Sequence, residues 1–488
     1  MKKRTVFITG GTGVMGFETL KEFSGRLDRF DIRLLARPGR KNRKKLKPYM
    51  AMKGVTVVWG DLMNPDDVKK AMGQADFVLH IGGMVSPLAD HYPAKTLKVN
   101  VGAARNVVDA ILERPDRDDV RLVYIGSVAE TSHRHEPHHW GRTGDPVMTG
   151  VFDYYGVSKI KAERIVAESG LKRWACLRQS GILHKGLIFK GSDPISFHVP
   201  LRGVLEWATV EDSARLMANI CEPTVPDSFW KNFYNIGSGR EFRLTNYEFE
   251  RLLLKTLGCP PPEKVFDTSW FATRNFHGEW YEDSDRLQEI VPFREQITAE
   301  DYFRRMARKM PWWMSLTPIV PAFVIKAAMK AVARTKGLGT LDWLRRDDCE
   351  DRVKAYFGSR TAQQAIPSWR NFDLSRPSEY PVRISHGYDE TKPESALDLD
   401  DMRQAARFRG GECLSESMLT GDLDTPLEWR CAFGHTFSAS PRLVLKGGHW
   451  CPDCLPAPWR YDAEAMVNPF LAQIWLDSHS PHEDEVYE

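Results

Sequence analysis

Tyr155 and Lys159 stand four residues apart in the run Tyr155-Gly-Val-Ser-Lys159, a spacing that on a helix sets both on one face. A phenol ionises near pH 10, too high for proton exchange at neutral pH, and a neighbouring ammonium stabilises its phenolate. Together they make a tunable acid/base. Tyr154 is a decoy, because only Tyr155 has a lysine four residues on. The pair lies about 28 residues after an apolar run, Leu122-Val123-Tyr124-Ile125, whose end carries Gly126-Ser127. A serine hydroxyl at a strand end can hold a substrate oxygen beside the phenol.

A second set of residues suits a dinucleotide. The first apolar run enters Thr9-Gly10-Gly11-Thr12-Gly13-Val14-Met15-Gly16, and an amphipathic stretch follows. Gly10 permits a sharp turn, Gly13 lets backbone amides approach a pyrophosphate, and Gly16 lets the helix sit close to the strand. The positive end of that helix then faces the phosphates. An NAD-preferring site ends its second strand with an acid on the ribose 2′-hydroxyl. Here that strand ends Ala36-Arg37-Pro38-Gly39-Arg40, and Arg37, with Arg40 as a second candidate, suits a 2′-phosphate. NADP(H) is therefore expected over NAD, with Arg43, Lys44, Lys45 and Lys47 expected to form only a solvated loop. After Trp59-Gly60, Asp61-Leu62 offers a carboxylate either to the adenine amino group or to the next helix as its N-cap.

The third set is Cys431-Ala-Phe-Gly-His435 and Cys451-Pro-Asp-Cys454, two short pairs in tight turns. Four such side chains suit tetrahedral Zn²⁺, and the segment Trp429 to Cys454 resembles a zinc ribbon. Cys413 is an alternative to His435. With every position filled by protein, the metal is expected to be structural. Many ribbons bind nucleic acid, but Gly411 to Glu488 holds four basic and thirteen acidic residues, a net of −9 that would repel phosphates. No nucleic-acid partner is expected. Docking on the rest of the chain, a homodimer contact, or a cover over the active site suits this module better.

These residues need a scaffold. Thr5 to Thr9, Ile32 to Ala36, Val55 to Trp59, Phe77 to Ile81, Leu122 to Ile125 and Trp174 to Leu177 read as buried strands. Val14 to Phe23, Asp66 to Met72, Val99 to Leu112 and Tyr155 to Glu168 read as helices. The alternation predicts an α/β, Rossmann-type doubly wound parallel sheet with a smaller substrate-binding part. The expected domains are 1–310 for this unit, 311–397 for a helical and irregular connector, and 398–488 for the acidic zinc module, opened by a helix at Asp398 to Arg407.

With these pieces in order, residues 1 to about 300 resemble the extended short-chain dehydrogenase/reductases, which include 3β-hydroxysteroid dehydrogenases, dihydroflavonol reductases and nucleotide-sugar epimerases. The matching pieces are the glycine loop, Gly60-Asp61-Leu62, His80-Ile81-Gly82-Gly83, Asn100, Ser127, Tyr155 with Lys159, Arg178, Val210-Glu211-Asp212 and Tyr234-Asn235-Ile236-Gly237. The resemblance implies that Ser127 orients a substrate oxygen, Tyr155 exchanges the proton, and Lys159 depresses the phenol's pKa and binds the nicotinamide ribose. Gly82 lies by the cofactor, and Asn100 either anchors its helix beside the cofactor or caps it. Arg178-Gln179 departs from the Arg-Pro of many relatives, leaving the course of the next loop open. Between Ser127 and Tyr155, His133, His135, His138 and His139 suit either a metal or a pH-sensitive lid.

Composition limits the rest. In 488 residues, 42% are hydrophobic and 27% charged, and 68 Lys and Arg against 65 Asp and Glu leave +3. This is a globular balance with no polyanion partner implied overall. One basic stretch stands out, Arg33 to Lys53, with nine basic residues and no acid. Eight cysteines are too few for a disulfide scaffold. No signal-peptide core follows Met1, so a cytoplasmic location is expected. Pro311 to Ala333 is apolar but interrupted by Lys326, Lys330 and prolines, which suits a buried or partner-facing helix or an interfacial one better than a membrane span. Three functions fit: an NADP(H)-dependent oxidoreductase interconverting a carbonyl and a secondary alcohol on a small, apolar substrate, a nucleotide-sugar epimerase or dehydratase retaining NAD, and a non-catalytic NADP-binding scaffold.

Overall fold

The computed structural model describes residues 3–86, 88–189, 193–310 and 317–488. The short apolar runs become a seven-stranded, all-parallel sheet: β1 (Arg4–Thr9), β2 (Phe30–Ala36), β3 (Val55–Trp59), β4 (Phe77–His80), β5 (Arg121–Ser127), β6 (Trp174–Gln179) and β7 (Asn232–Ile236). Their spatial order is β7-β6-β5-β4-β1-β2-β3, so the chain winds outward twice from β1. That is the doubly wound arrangement, and the crevice between β1 and β4 lies where the winding direction reverses. β4, β6 and the Val6 to Thr9 part of β1 are buried on both faces because helices cover both sides, which is why Val6 to Ile8, Phe77 to Leu79 and Trp174 to Leu177 are continuously apolar rather than alternating.

Among the crossover helices, α1 (Val14–Ser24) follows the glycine loop, α2 (Pro93–Leu112) precedes β5, and α3 (Tyr154–Ala167) precedes β6. The missing Arg-Pro does not divert the chain: β6 runs on through Gln179, paired with Ile236, before Ile182–Leu183 pairs with Ala208–Thr209. The connector holds helices at Ala322–Ala333, Thr340–Trp343, Glu350–Phe357 and Arg360–Gln364, then a long irregular stretch. The first six residues of the Pro311 to Ala333 segment lie outside the described residues. The described helix buries only Ala333 fully, and Phe323 is 73% exposed, so a buried helix is not what forms. No helix among the described residues is long and apolar enough to cross a membrane.

The acidic module opens with α4 (Leu399–Phe408), capped by Asp398, whose side chain accepts from the Asp400 and Asp401 amides. A three-stranded antiparallel sheet follows: β8 (Glu412–Cys413), β9 (Leu427–Arg430) and β10 (Thr436–Ala439). Its interior is not separate from that of the parallel sheet. One continuous cluster of buried side chains runs from Phe7, Val107 and Trp174 through Phe233 to Leu443, Trp429 and Cys451. A second cluster joins Val157 and Ile160 of α3 to Trp343 and Tyr356 of the connector and to Trp459 and Tyr461. The expected docking of the module on the rest of the chain is what the packing shows.

Candidate active site and metal centre

At the end of β1, Gly10 adopts φ +71°, a conformation that disfavours side chains, and a Cβ there would lie 2.7 Å from Gly82 Cα. A Cβ on Gly16 would lie 2.3 Å from the Gly10 carbonyl oxygen, so helix and strand close on each other only because both positions are glycine. The Gly13 amide donates to the Gly10 carbonyl at 2.8 Å. α1 begins with no side-chain cap and no acid in its first turn, so its first amides remain for an anion. Beside the loop, Thr9 Oγ1 accepts from the Gly82 amide and bonds His80 Nδ1, each at 2.9 Å. Burial, helped by the nearby Lys159, holds the His80 imidazole down to about 3, and it is neutral at physiological pH.

Arg37 and Arg40 are exposed at the end of β2. The neighbouring basic run is not the solvated loop expected of it. It forms a helix, Arg40–Met50, in which Lys45 turns inward to donate to the Thr12 carbonyl at 2.9 Å, and Arg43 stacks over the Trp59 ring at 4.6 Å. Lys45 thus belongs to the glycine loop's surroundings, a role no spacing rule singled out. Asp61 is not a helix N-cap: Asn64 caps Pro65–Met72, leaving Asp61 exposed with its side chain accepting from the Met63 amide. Leu62 offers its carbonyl to Asn106 Nδ2 at 2.9 Å.

Asn100 is not a cap either. It sits within α2, where its Oδ1 accepts from the Met84 amide at 2.7 Å and its Nδ2 donates to the Met84 carbonyl and to Ser158 Oγ. It therefore ties the irregular segment after β4 to α3, the helix of Tyr155 and Lys159.

β5 delivers Ser127 at its end, with the Ser127 amide donating to Glu130 Oε1 at 2.6 Å. Asp153 caps α3 by accepting from the Gly156 amide at 2.7 Å, which puts Tyr155 in the first turn and Lys159 one turn on. Burial pushes the Tyr155 phenol up, and a hydrogen bond with Ser127 opposes the rise. The phenol is consequently a proton donor at neutral pH. Lys159 was expected to depress it, but the Lys159 Nζ lies 6.0 Å from the Tyr155 ring centroid and donates instead to the Ile125 carbonyl at 2.7 Å. Burial lowers the Lys159 ammonium to about 8, with Glu130 and Glu163 opposing the fall.

Behind this trio lies a buried charge cluster that the sequence reading missed. Arg178 Nη2 donates to Glu163 Oε1 at 2.7 Å, and the same oxygen accepts from His449 Nε2 at 2.9 Å. Burial alone would raise Glu163, but Arg178 and His449 outweigh it and hold the carboxyl down at about 2. Burial and the neighbouring Glu163 push Glu130 up instead. Glu163 repeats the four-residue spacing of Tyr155 and Lys159, a signal that was available. His449, nearly 300 residues away, gave none.

The four histidines do not converge. His133 bonds the Phe276 carbonyl, His135 the Thr273 carbonyl, His138 the Asp477 carboxylate and His139 the Ser378 carbonyl. The metal reading of that loop fails, since each imidazole is committed to a different partner; the same four bonds pin the loop to its surroundings. His133 and His135 border a cavity of about 320 Å³ with Arg202, Phe271 and Phe372, whose lining includes none of Ser127, Tyr155 and Lys159.

Cys431, His435, Cys451 and Cys454 do converge, with one ligand atom from each all within 4.8 Å of one another. The sulfurs of Cys431 and Cys454 are 3.9 Å apart, and His435 Nδ1 lies 3.4 to 3.6 Å from the three sulfurs. A tetrahedral ion with Zn–S of about 2.3 Å and Zn–N of about 2.0 Å requires edges of about 3.8 and 3.5 Å, so the donor set fits zinc. Cys413, on β8, is outside the group.

Residues 6–174 match the family model described as the NAD dependent epimerase/dehydratase family. Among curated proteins, the chain is similar to 3 beta-hydroxysteroid dehydrogenase type 7 of Rattus norvegicus, 28% identical over 185 residues, covering 37% of this chain and 52% of the relative. It is also similar to UDP-glucose 4-epimerase of Rickettsia conorii, 32% identical over 121 residues, covering 22% of this chain and 33% of the relative. The matches thus span from about a third to about half of those relatives' lengths. A solved structure of dTDP-glucose 4,6-dehydratase from Bacillus anthracis in complex with NAD shares the fold at TM-score 0.50 and 14% identity, covering 64% of this chain and 97% of that one. Residues 6–174 thus match the NAD dependent epimerase/dehydratase family model, on a Rossmann-type fold shared with that dehydratase.

Proposed function

We propose that this protein is an NADP(H)-dependent oxidoreductase interconverting a carbonyl and a secondary alcohol on a small, fairly apolar substrate. The observation that carries the reading is the placement of a half-buried Tyr155 in the first turn of α3, its phenol held protonated by desolvation, with Lys159 one helical turn on and Ser127 at the end of β5. A bound nicotinamide supplies or accepts the hydride. Tyr155 passes its proton to the substrate oxygen on reduction and takes it back on oxidation, Ser127 orients that oxygen, and Lys159 holds the nicotinamide ribose. The cradle of Gly10, Thr12, Gly13, Val14, Met15 and Gly16 fits a pyrophosphate, with Asp61 and Leu62 toward the adenine and Gly82 toward the other half. Exposed Arg37 and Arg40, with no acid at that strand end, favour a 2′-phosphate and hence NADP(H). The apolar substrate is supported by Val85 and Leu88, exposed on the segment that Asn100 holds beside α3. Cys431, His435, Cys451 and Cys454 hold a structural Zn²⁺, and the domains divide as 1–310, 311–397 and 398–488.

A second reading, a nucleotide-sugar epimerase or dehydratase that retains NAD, is favoured by the similarity to UDP-glucose 4-epimerase. Mass spectrometry of the purified protein for bound nucleotide and metal, followed by assay with NADPH and NADH against carbonyl compounds, separates the two. Released NADPH turnover supports the first; retained NAD without net turnover replaces it with the second.

A further inference from the structure

α3 is held from behind by the acidic module along its whole length. At its start, Trp459 meets the Tyr154 ring at 5.1 Å and Tyr461 Oη accepts from the Thr149 amide. At its end, Ser440 Oγ donates to Glu168 at 2.6 Å. In its last turn, Arg164 donates to the Trp450 and Ser438 carbonyls, and the turn Gly447 to Trp450 closes on Glu163 and Arg178. The Gly447 carbonyl accepts from Arg178 Nη2 at 2.6 Å while His449 donates to Glu163. There is no slack in this turn. A Cβ on Gly447 would lie 2.9 Å from the Phe233 ring, and one on Gly448, at φ +74°, would lie 1.8 Å from the Asp145 carbonyl oxygen.

The contact reaches the candidate reacting residues through Glu163. Its Oε2 and Glu130 Oε1 both crowd the bare Cα of Gly126, where a Cβ would lie 3.3 and 2.6 Å from them. Gly126 precedes Ser127, whose amide Glu130 accepts, and Lys159 lies one turn before Glu163 on the same helix face. An ionised carboxylate in a dry site takes the nearest cation available to it. With His449 and Arg178 both engaged on Glu163, Lys159 stays on the Ile125 carbonyl.

We propose that His449 is a positioning residue for Lys159: the acidic module, through the Gly447 to Trp450 turn, occupies Glu163 and thereby fixes the helix and ammonium that serve the nicotinamide half of the cofactor. The claim rests on the reading of Ser127, Tyr155 and Lys159 as the reacting set. It gives the module a function beyond carrying a metal, because the residue that acts is not a metal ligand.

The test uses the full chain with two variants. In His449→Gln the amide nitrogen can stand where Nε2 stands; in His449→Asn it stops short of Glu163. Hydrogen–deuterium exchange of α3 should be about tenfold faster in His449→Asn, the scale of losing a hydrogen bond to a charged group, and restored in His449→Gln, with α1 unchanged in both. NADPH affinity should weaken by a similar factor in His449→Asn alone, while 2′,5′-ADP, which lacks the nicotinamide half, binds equally to all three proteins. Exchange in α3 that is the same in both variants, whether unchanged or equally fast, overturns the proposal. If His449→Asn does not fold, Glu163→Gln replaces it, with the same acceleration confined to α3 expected and uniform behaviour overturning the claim. Should the wild-type chain bind no nicotinamide nucleotide, the reading of the preceding section fails while the exchange comparison still decides this one.

Discussion

The proton chemistry of the site is set by burial more than by its neighbours. Tyr155 is pushed up from its usual value by desolvation, so it enters the reducing direction as the acid with its proton already loaded. Tyr155→Phe should lower turnover by about 10²-fold or more, the usual worth of a positioned general acid, while leaving NADPH affinity close to wild type. Lys159, lowered by burial to about 8, is charged below that pH and loses its charge above it. Nicotinamide nucleotide affinity should accordingly fall as pH rises through about 8. Lys159→Arg, whose guanidinium stays charged to beyond pH 12, should show no such fall whatever its affinity at neutral pH. Binding isotherms from pH 6 to 10 check both, and a wild-type profile flat across that range would count against Lys159 as a cofactor ligand.

The elements deliver these side chains through close contacts rather than through loops. β1 and α1 meet at Gly10 and Gly16, α2 reaches α3 through Asn100 and Ser158, and β5 ends in the short capped turn that presents Ser127. Gly16→Ala should force the helix off the strand, since the added methyl would stand 2.3 Å from a carbonyl oxygen. A destabilisation of about 1–3 kcal/mol is expected, typical of overpacking, together with loss of dinucleotide binding. Thermal denaturation and NADPH titration measure the two. Most of these elements could be read from the sequence, with strand ends shifted by a residue or two, because apolar runs between amphipathic stretches have few other uses. The helix over Arg40–Met50 could not be, since an almost wholly basic run gives no apolar period; its one buried residue, Leu46, and the inward Lys45 mark its face only once folded.

For the whole molecule, the acidic module is part of the same interior as the parallel sheet, with a shared cluster of buried residues from Phe7 to Cys451. The four converging cysteine and histidine side chains sit at the edge of that interior, beside Trp450, whose ring contacts Trp429 at 5.7 Å and Phe437 at 5.1 Å. A zinc ion held there, as proposed, would contribute folding energy to so small a sheet. Chelation should therefore release stoichiometric zinc, shift tryptophan emission to the red and lower the thermal midpoint, and added zinc should reverse all three. An unchanged midpoint after verified metal loss would show that packing on the parallel sheet suffices.

Local spacing carried the chemistry. A strand, a glycine loop and a helix, a tyrosine and a lysine one turn apart, and two short cysteine and histidine pairs each concern residues near one another in the chain, where sequence distance fixes geometry. Tertiary structure alone decided which long-range partners those residues meet: the four separate ends of His133, His135, His138 and His139, the exclusion of Cys413, and the placement of His449 on Glu163. No periodicity records a hydrogen bond between residues 286 positions apart, because only the packing of the module on the sheet brings them to 2.9 Å.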